Sequence, residues 1–254
     1  MIPKAMESTS PKKAGRYSRP GLGFFLLILS KHASRREVIV DSEIFLQELL
    51  NAVNDFCRTL DDSPPAYSYI PLRTDEERIR VMQSRLFNEL RAADLFGTWL
   101  KTTPEFEVKS ALAESAHEEM EHAELLAKRI RDLGAEPFGY QPLPAQVAMF
   151  NAIEGLPDTC QRVAGFSLAG EAVATYLTQK CLQAPNVPDW IKQPYRRITQ
   201  DEEGHGSMPQ AILKRYATTE EKQEGARRAV AMRLVLFREY LASLDRWAMG
   251  KDRW

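Results

Sequence analysis

Residues 110–130 read SALAESAHEEMEHAELLAKRI. One spacing occurs there twice: Glu114 and His117 form Glu-x-x-His, and so do Glu119 and His122. Steps of three and four fall on one face of a helix. One such face carries Val108, Leu112, Ser115, Glu119, His122, Leu126 and Ile130. The other carries Glu114, His117, Glu121, Glu124, Lys128 and Arg131, with acids preceding bases as on a solvated surface. The pattern therefore turns Glu119 and His122 inward and leaves Glu114 and His117 in water. A polar group buried without a partner costs roughly 2–7 kcal/mol, and an ionised one more. An inward Glu and His demand partners elsewhere in the chain.

Three other stretches supply them. In RIRVMQSRLFNELRAADLFGTWL the inward stripe is Ile79, Met82, Leu86, Glu89, Ala93, Phe96 and Leu100. In CQRVAGFSLAGEAVATYLTQKCL, Glu171 is the only acid between Asp158 and Asp189, with Ala164, Leu168, Ala174 and Thr178 on its face. In PYRRITQDEEGHGSMPQAILKRY the stripe runs Tyr195, Ile198, Glu202, His205, Pro209, Ile212 and Tyr216. The chain thus reads Glu, then Glu-x-x-His, twice, with 30 residues from Glu89 to Glu119 and 31 from Glu171 to Glu202. At about 1.5 Å per residue, antiparallel helices joined by short turns bring each pair to nearly one height. Glu89, Glu119, His122, Glu171, Glu202 and His205 would meet in mid-bundle.

Four clustered carboxylates without cations repel and take up protons. A salt-bridged core would need inward Arg or Lys, and these stripes contain none. Two divalent ions make the arrangement sensible. Carboxylate-rich ligands with one imidazole per metal suit Fe or Mn, whereas zinc favours His and Cys.

The remaining sequence is helical almost throughout, with scarce strand signals. Helices are expected over about 42–59, 74–101, 103–134, 159–183, 188–216 and 218–249. Thr103 is read as an N-cap with Pro104 behind it, and residues 135–158 as mostly loop around an apolar piece, QVAMFNAI. Gly204, Gly206 and Pro209 beside His205 suggest a kink or π-bulge next to the metal. The expected fold is an all-α four-helix bundle over about 75–216, with additional N- and C-terminal helices, in one domain spanning 21–254.

Bulk properties remove several alternatives. There are 34 Lys plus Arg and 35 Asp plus Glu, for a net charge of −1, which argues against nucleic acid as a partner. Residues 1–20 are basic and rich in Pro and Ser, and are read as a disordered tail. The longest apolar run, GLGFFLLIL at 21–29, is too short to span a membrane and lacks a signal-peptide cleavage pattern. Cys57, Cys160 and Cys181 have no metal-type spacing and are read as core residues of a cytoplasmic protein.

The segments NEL, EEMEHAELL, GEA and DEEGHG resemble those of the ferritin-like di-iron carboxylate superfamily. That resemblance implies Glu119 and Glu202 as bridging ligands central to catalysis, Glu89 and Glu171 as terminal ligands, and one His, His122 or His205, on each iron. It also implies that Glu118 and Asp201 hydrogen-bond a ligand His from the outer shell. The implied activity is that of an oxygenase or oxidase with two Fe ions, or a Mn/Fe pair, using dioxygen, an external electron donor and a small, apolar organic substrate. A homodimer is compatible with it. Phe24, Phe25, Phe45, Phe237 and Tyr240 are candidate pocket liners. The alternatives are an iron-handling ferroxidase and a radical-generating di-metal subunit, for which Tyr176 and Tyr195 would be the hosts.

Overall fold

Several helices start where a side chain accepts from their free N–H groups. The computed structural model describes residues 41–202 and 207–250, without the side chains of residues 201 and 202. The basic tail and the apolar run, with Phe24 and Phe25, lie outside the described residues. Helix α1 (Ser42–Arg58) is capped by Asp41, whose carboxylate accepts from the Glu43 and Ile44 N–H groups. A buried 3-10 turn, Ala66–Ser68, leads to α2 (Asp75–Thr102). Thr74 and Glu77 close a reciprocal capping box at its start.

Helix α3 (Phe106–Asp132) begins later than the Thr103–Pro104 signal suggests. Thr103 instead ends α2 in an extended conformation and is buried. The far end of α3 follows its signal, with Gly134 at φ +76°.

The expected loop at 135–158 contains a helix, α4 (Pro144–Glu154). Pro144 sits in the first turn, and Gln146, Met149, Phe150 and Ile153 form its buried face. Gln146 explains why a polar residue can hold this helix in the core. Its amide donates to Ser84 O at 3.1 Å and Asn88 Oδ1 at 2.7 Å, and its carbonyl accepts from the Tyr140 hydroxyl at 2.6 Å. This network fixes α4 on the same part of α2 that carries Glu89.

The segment 159–183 stays helical but changes its winding. A short α5 (Thr159–Arg162) runs into π-helical turns at Val163–Gly170, then α6 (Glu171–Gln183). Two glycines in these turns admit close neighbours. A Cβ on Gly165 would lie 3.1 Å from Leu156 Cδ1, and one on Gly170 would lie 2.7 Å from Arg233 Nη2. The π distortion expected beside His205 falls on residues 203–206, outside the described set. Helix α7 (Asp189–Glu202) precedes those residues and α8 (Met208–Tyr216) follows them. Pro209 sits in the first turn of α8, where its missing N–H removes no helical hydrogen bond. Thr219 caps α9 (Glu220–Ala248).

Helix α2 packs along α3, α6 meets α7, and α7 meets α3. Helix α9 lies against the π-helical turns, α4 and α5. One apolar core joins these contacts. Among the described residues there are no strands, and no helix is long and apolar enough to cross a membrane.

The three cysteines are free and buried in this core. Burial pushes the thiols of Cys57, Cys160 and Cys181 up to about 11. The thiolate is the reactive form. Iodoacetamide at pH 8 should therefore leave the native chain unmodified and alkylate all three after denaturation, as read by intact mass. Rapid native alkylation at any of them would contradict this packing.

Candidate metal centre

The two Glu-x-x-His copies of α3 separate as their faces dictate. His117 and Glu121 are exposed and lie 3.7 Å apart, an ordinary surface pair. Glu119 and His122 are 7% and 1% exposed, with His122 Nδ1 3.7 Å from Glu119 Oε2. Leu112 and Leu126 extend their stripe as buried residues on either side.

Glu89 of α2 comes to the same point. It is half-buried, and ligand atoms of Glu89, Glu119 and His122 all lie within 4.8 Å of one another. Oxygen and imidazole ligands sit roughly 2.0–2.2 Å from a divalent ion, so two ligands of one ion are at most about 4.4 Å apart. A small side-chain rotation closes the difference. Two carboxylates and an imidazole fit Fe or Mn by ligand type. This buried group could hold a metal ion.

Glu171 begins α6 directly after the π-helical turns and is half-buried. It lines one cavity, of about 70 Å³, together with Glu89 and Glu119. Four of the six expected ligands are therefore placed: three gather in one group and the fourth faces the shared cavity. The side chain of Glu202 and the whole of His205 lie outside the described residues, as does the side chain of Asp201. Ile198 and Thr199, on the preceding turn of α7, line the same cavity. Glu118, next to Glu119, is half-buried, although the face pattern alone puts it in water.

One sequence expectation is overturned. Buried arginines do face these acids. Arg85 and Arg233 are 2% and 4% exposed, and both line the cavity. Arg85 stands one turn before Glu89 on α2. Its Cζ lies 4.4 Å from the Tyr67 ring centre and 4.0 Å from that of Tyr195, and its Nη2 donates to Thr178 Oγ1 at 2.8 Å. Arg233 comes from α9 and has its Cζ 4.9 Å from the Phe237 ring centre. Burial lowers its guanidinium to about 10, still charged at neutral pH.

Arg is almost never fully buried without pairing, so an apolar-stripe reading passes over it. The signals were nevertheless present: Arg85 is four residues before Glu89, and Arg233 is four before Phe237. The inward face of α9 is accordingly Ala229, Val230, Arg233, Phe237 and Tyr240.

Among the expected liners, Phe237 lines the cavity, joined by Phe150 and Phe166, which the sequence did not single out. Phe45 and Tyr240 are core residues. Tyr176 donates its hydroxyl to Asp61. Tyr195 is fully buried and shares a 2.5 Å hydrogen bond with Tyr69.

No protein-family model matches the chain, and no curated protein matches it. Solved structures share its fold, among them two of unknown function. One is a domain of unknown function with a heme oxygenase-like fold from Shewanella denitrificans OS217, at a TM-score of 0.63 and 14% identity, covering 84% of this chain and 94% of that one. The other is a CADD-like protein of unknown function from Nostoc punctiforme PCC 73102, at a TM-score of 0.59 and 13% identity, covering 82% of this chain and 99% of that one. The likeness shows an all-helical, heme oxygenase-like fold. The narrower ferritin-type bundle does not follow from it.

A ligand that binds only the folded state stabilises it by about 2.7 kcal/mol at a hundred times its Kd. For a protein of this size that corresponds to about 5–10 °C in Tm. Excess Mn(II) should raise the Tm of metal-stripped protein by that amount. His122→Ala should lose the shift and His117→Ala should keep it. Equal shifts in both variants would remove the inner copy from the metal site.

Proposed function

We propose that the chain is a dioxygen-activating, non-haem di-iron oxidoreductase, an oxygenase or oxidase of a small, apolar organic substrate. The observation that carries this reading is the buried Glu89–Glu119–His122 group, opening on a cavity that Glu171 also lines. Its chemical logic is the donor set. Carboxylates bind hard, redox-active ions and can change their mode of ligation, while the imidazole anchors one of them. The second Glu-x-x-His, at Glu202 and His205, belongs to the same proposal on sequence grounds, and with it a ferritin-type order of ligands along the helices.

The bound iron would supply the redox chemistry and the site for dioxygen. The chain's own residues set the surroundings. Glu119 and His122 present their donors from one face of α3, three residues apart, so one helix fixes both. Glu89 completes the group from α2, which packs along α3. Phe150, Phe166 and Phe237 form an apolar wall that excludes water and suits a hydrocarbon body. Tyr195 is held by Tyr69 and stacked on Arg85, which makes it a packing residue in this reading rather than a radical host.

Iron storage is the competing use of such a site. Metal-stripped protein loaded anaerobically with Fe(II) should take up about two Fe per chain. On admission of air it should consume dioxygen, and added reductant should sustain that consumption. Glu119→Ala should lose both iron and uptake. Accumulation of many ferric ions per chain would favour storage, and full iron retention in Glu119→Ala would sink the site.

A further inference from the structure

The two buried arginines carry more hydrogen-bond donors than the protein uses. Nε and Nη1 of Arg85, and Nε and Nη1 of Arg233, are buried without a hydrogen-bond partner among the described residues. Aromatic rings cover the guanidinium planes: Tyr67 and Tyr195 over Arg85, and Phe166 and Phe237 near Arg233. Stacking stabilises the charge but leaves the N–H edges unsatisfied. Unpaired donors on a buried charged group are costly and rare in folded proteins, and each calls for a partner such as water, an ion or a ligand.

The arginines are not simply counterions of the acids. Glu89 and Glu171 are near enough to influence Arg85 and Arg233 electrostatically. Yet neither guanidinium forms an ion pair with a described residue. If the carboxylates are taken up by metal, the balance around the cavity becomes positive. Glu89, Glu119 and Glu171 contribute three negative charges, and Arg85 and Arg233 two positive ones. One divalent ion turns this to +1. A fourth carboxylate with a second divalent ion still leaves it positive. Gly170 is consistent with this, since a Cβ there would lie 2.7 Å from Arg233 Nη2 and would displace the guanidinium from its place. The backbone has been kept clear where Arg233 enters the cavity.

We propose that Arg85 and Arg233 form the head-group subsite of this centre, and that its substrate is a small organic acid. The carboxylate accepts N–H groups from both arginines. The apolar body lies against Phe150, Phe166 and Phe237. An ionised carboxylate matches guanidinium donors by charge and geometry, and the aromatic wall gives an apolar tail a place that an inorganic anion would not use. This inference rests on the metal-centre reading for its charge balance, but it is tested by binding.

Butyrate, its neutral isostere butyramide, and inorganic phosphate are titrated into the full chain by calorimetry, metal-stripped and Mn(II)-loaded. Butyrate should bind the Mn(II)-loaded protein at least about thirtyfold more tightly than butyramide, as expected for a desolvated charge pair. Arg233→Met and Arg85→Met should lose that preference while retaining Mn(II). Direct ligation of butyrate to the metal would be insensitive to these substitutions and would overturn the proposal. Equal binding of butyrate and butyramide by the unaltered chain would overturn it without relying on the folding of any variant. Tighter binding of phosphate than of butyrate, lost in the same variants, would overturn the organic-acid assignment in favour of a phosphate. If no Mn(II) binds, the metal reading fails separately. The butyrate preference of the metal-stripped chain and its loss in Arg233→Met then decide this inference alone.

Discussion

The rest of the centre depends on one constraint: carboxylates drawn into an apolar helical core must be neutralised there. Three of them, Glu89, Glu119 and Glu171, face one cavity in this chain. Protonation, buried cations and metal ions are the available answers. The protein holds two arginines beside the acids, but keeps them out of ion pairs with the described residues and leaves several of their N–H groups unused. It also places an imidazole within reach of two of the carboxylates. Metal ions for the acids, with arginines held for an incoming anion, satisfy all three observations. Arginines serving the acids would leave the buried imidazole and the unused donors unexplained.

The surrounding fold serves this constraint. Helices α2 and α3 run together, so that a residue of one meets a Glu-x-x-His of the other. The π-helical turns before Glu171 bring small residues against α9 and admit Arg233 past Gly170. π-Helical turns are uncommon and frequently mark functional sites. Helix α4, fixed by Gln146 to Ser84 and Asn88, supports the part of α2 that carries Arg85 and Glu89. The heme oxygenase-like arrangement seen in the structures from Shewanella and Nostoc is thus, in this chain, a frame around a cavity rich in charge.

Much of the Glu89–Glu119–His122 group was legible in the sequence, because period and burial are tightly linked on a long amphipathic helix. The apolar stripe of α3 runs unbroken except at Ser115, Glu119 and His122, which singles these out. Features that depend on contacts between distant segments were not legible. Residues 163–170 are apolar or glycine at every position but Ser167, so no period in the sequence marks the π-helical winding there. Helix α4 is held by a buried Gln, a type that pattern reading assigns to water. Arg85 and Arg233 were passed over for a related reason: besides neighbours on their own helices, rings from distant segments cover them, Tyr67 and Tyr195 over Arg85 and Phe150 and Phe166 near Arg233. The narrower expectation of a ferritin-type bundle came from motif resemblance, and motifs constrain the site more strongly than the frame.

Anomalous diffraction from crystals of the Mn(II)-loaded chain tests the central claim most directly. A metal peak about 2.0–2.2 Å from carboxylate oxygens of Glu89 and Glu119 and from a ring nitrogen of His122 is the predicted result. Absence of metal at that point, with the Arg85 or Arg233 guanidinium paired to those carboxylates instead, would show a salt-bridged core and contradict it.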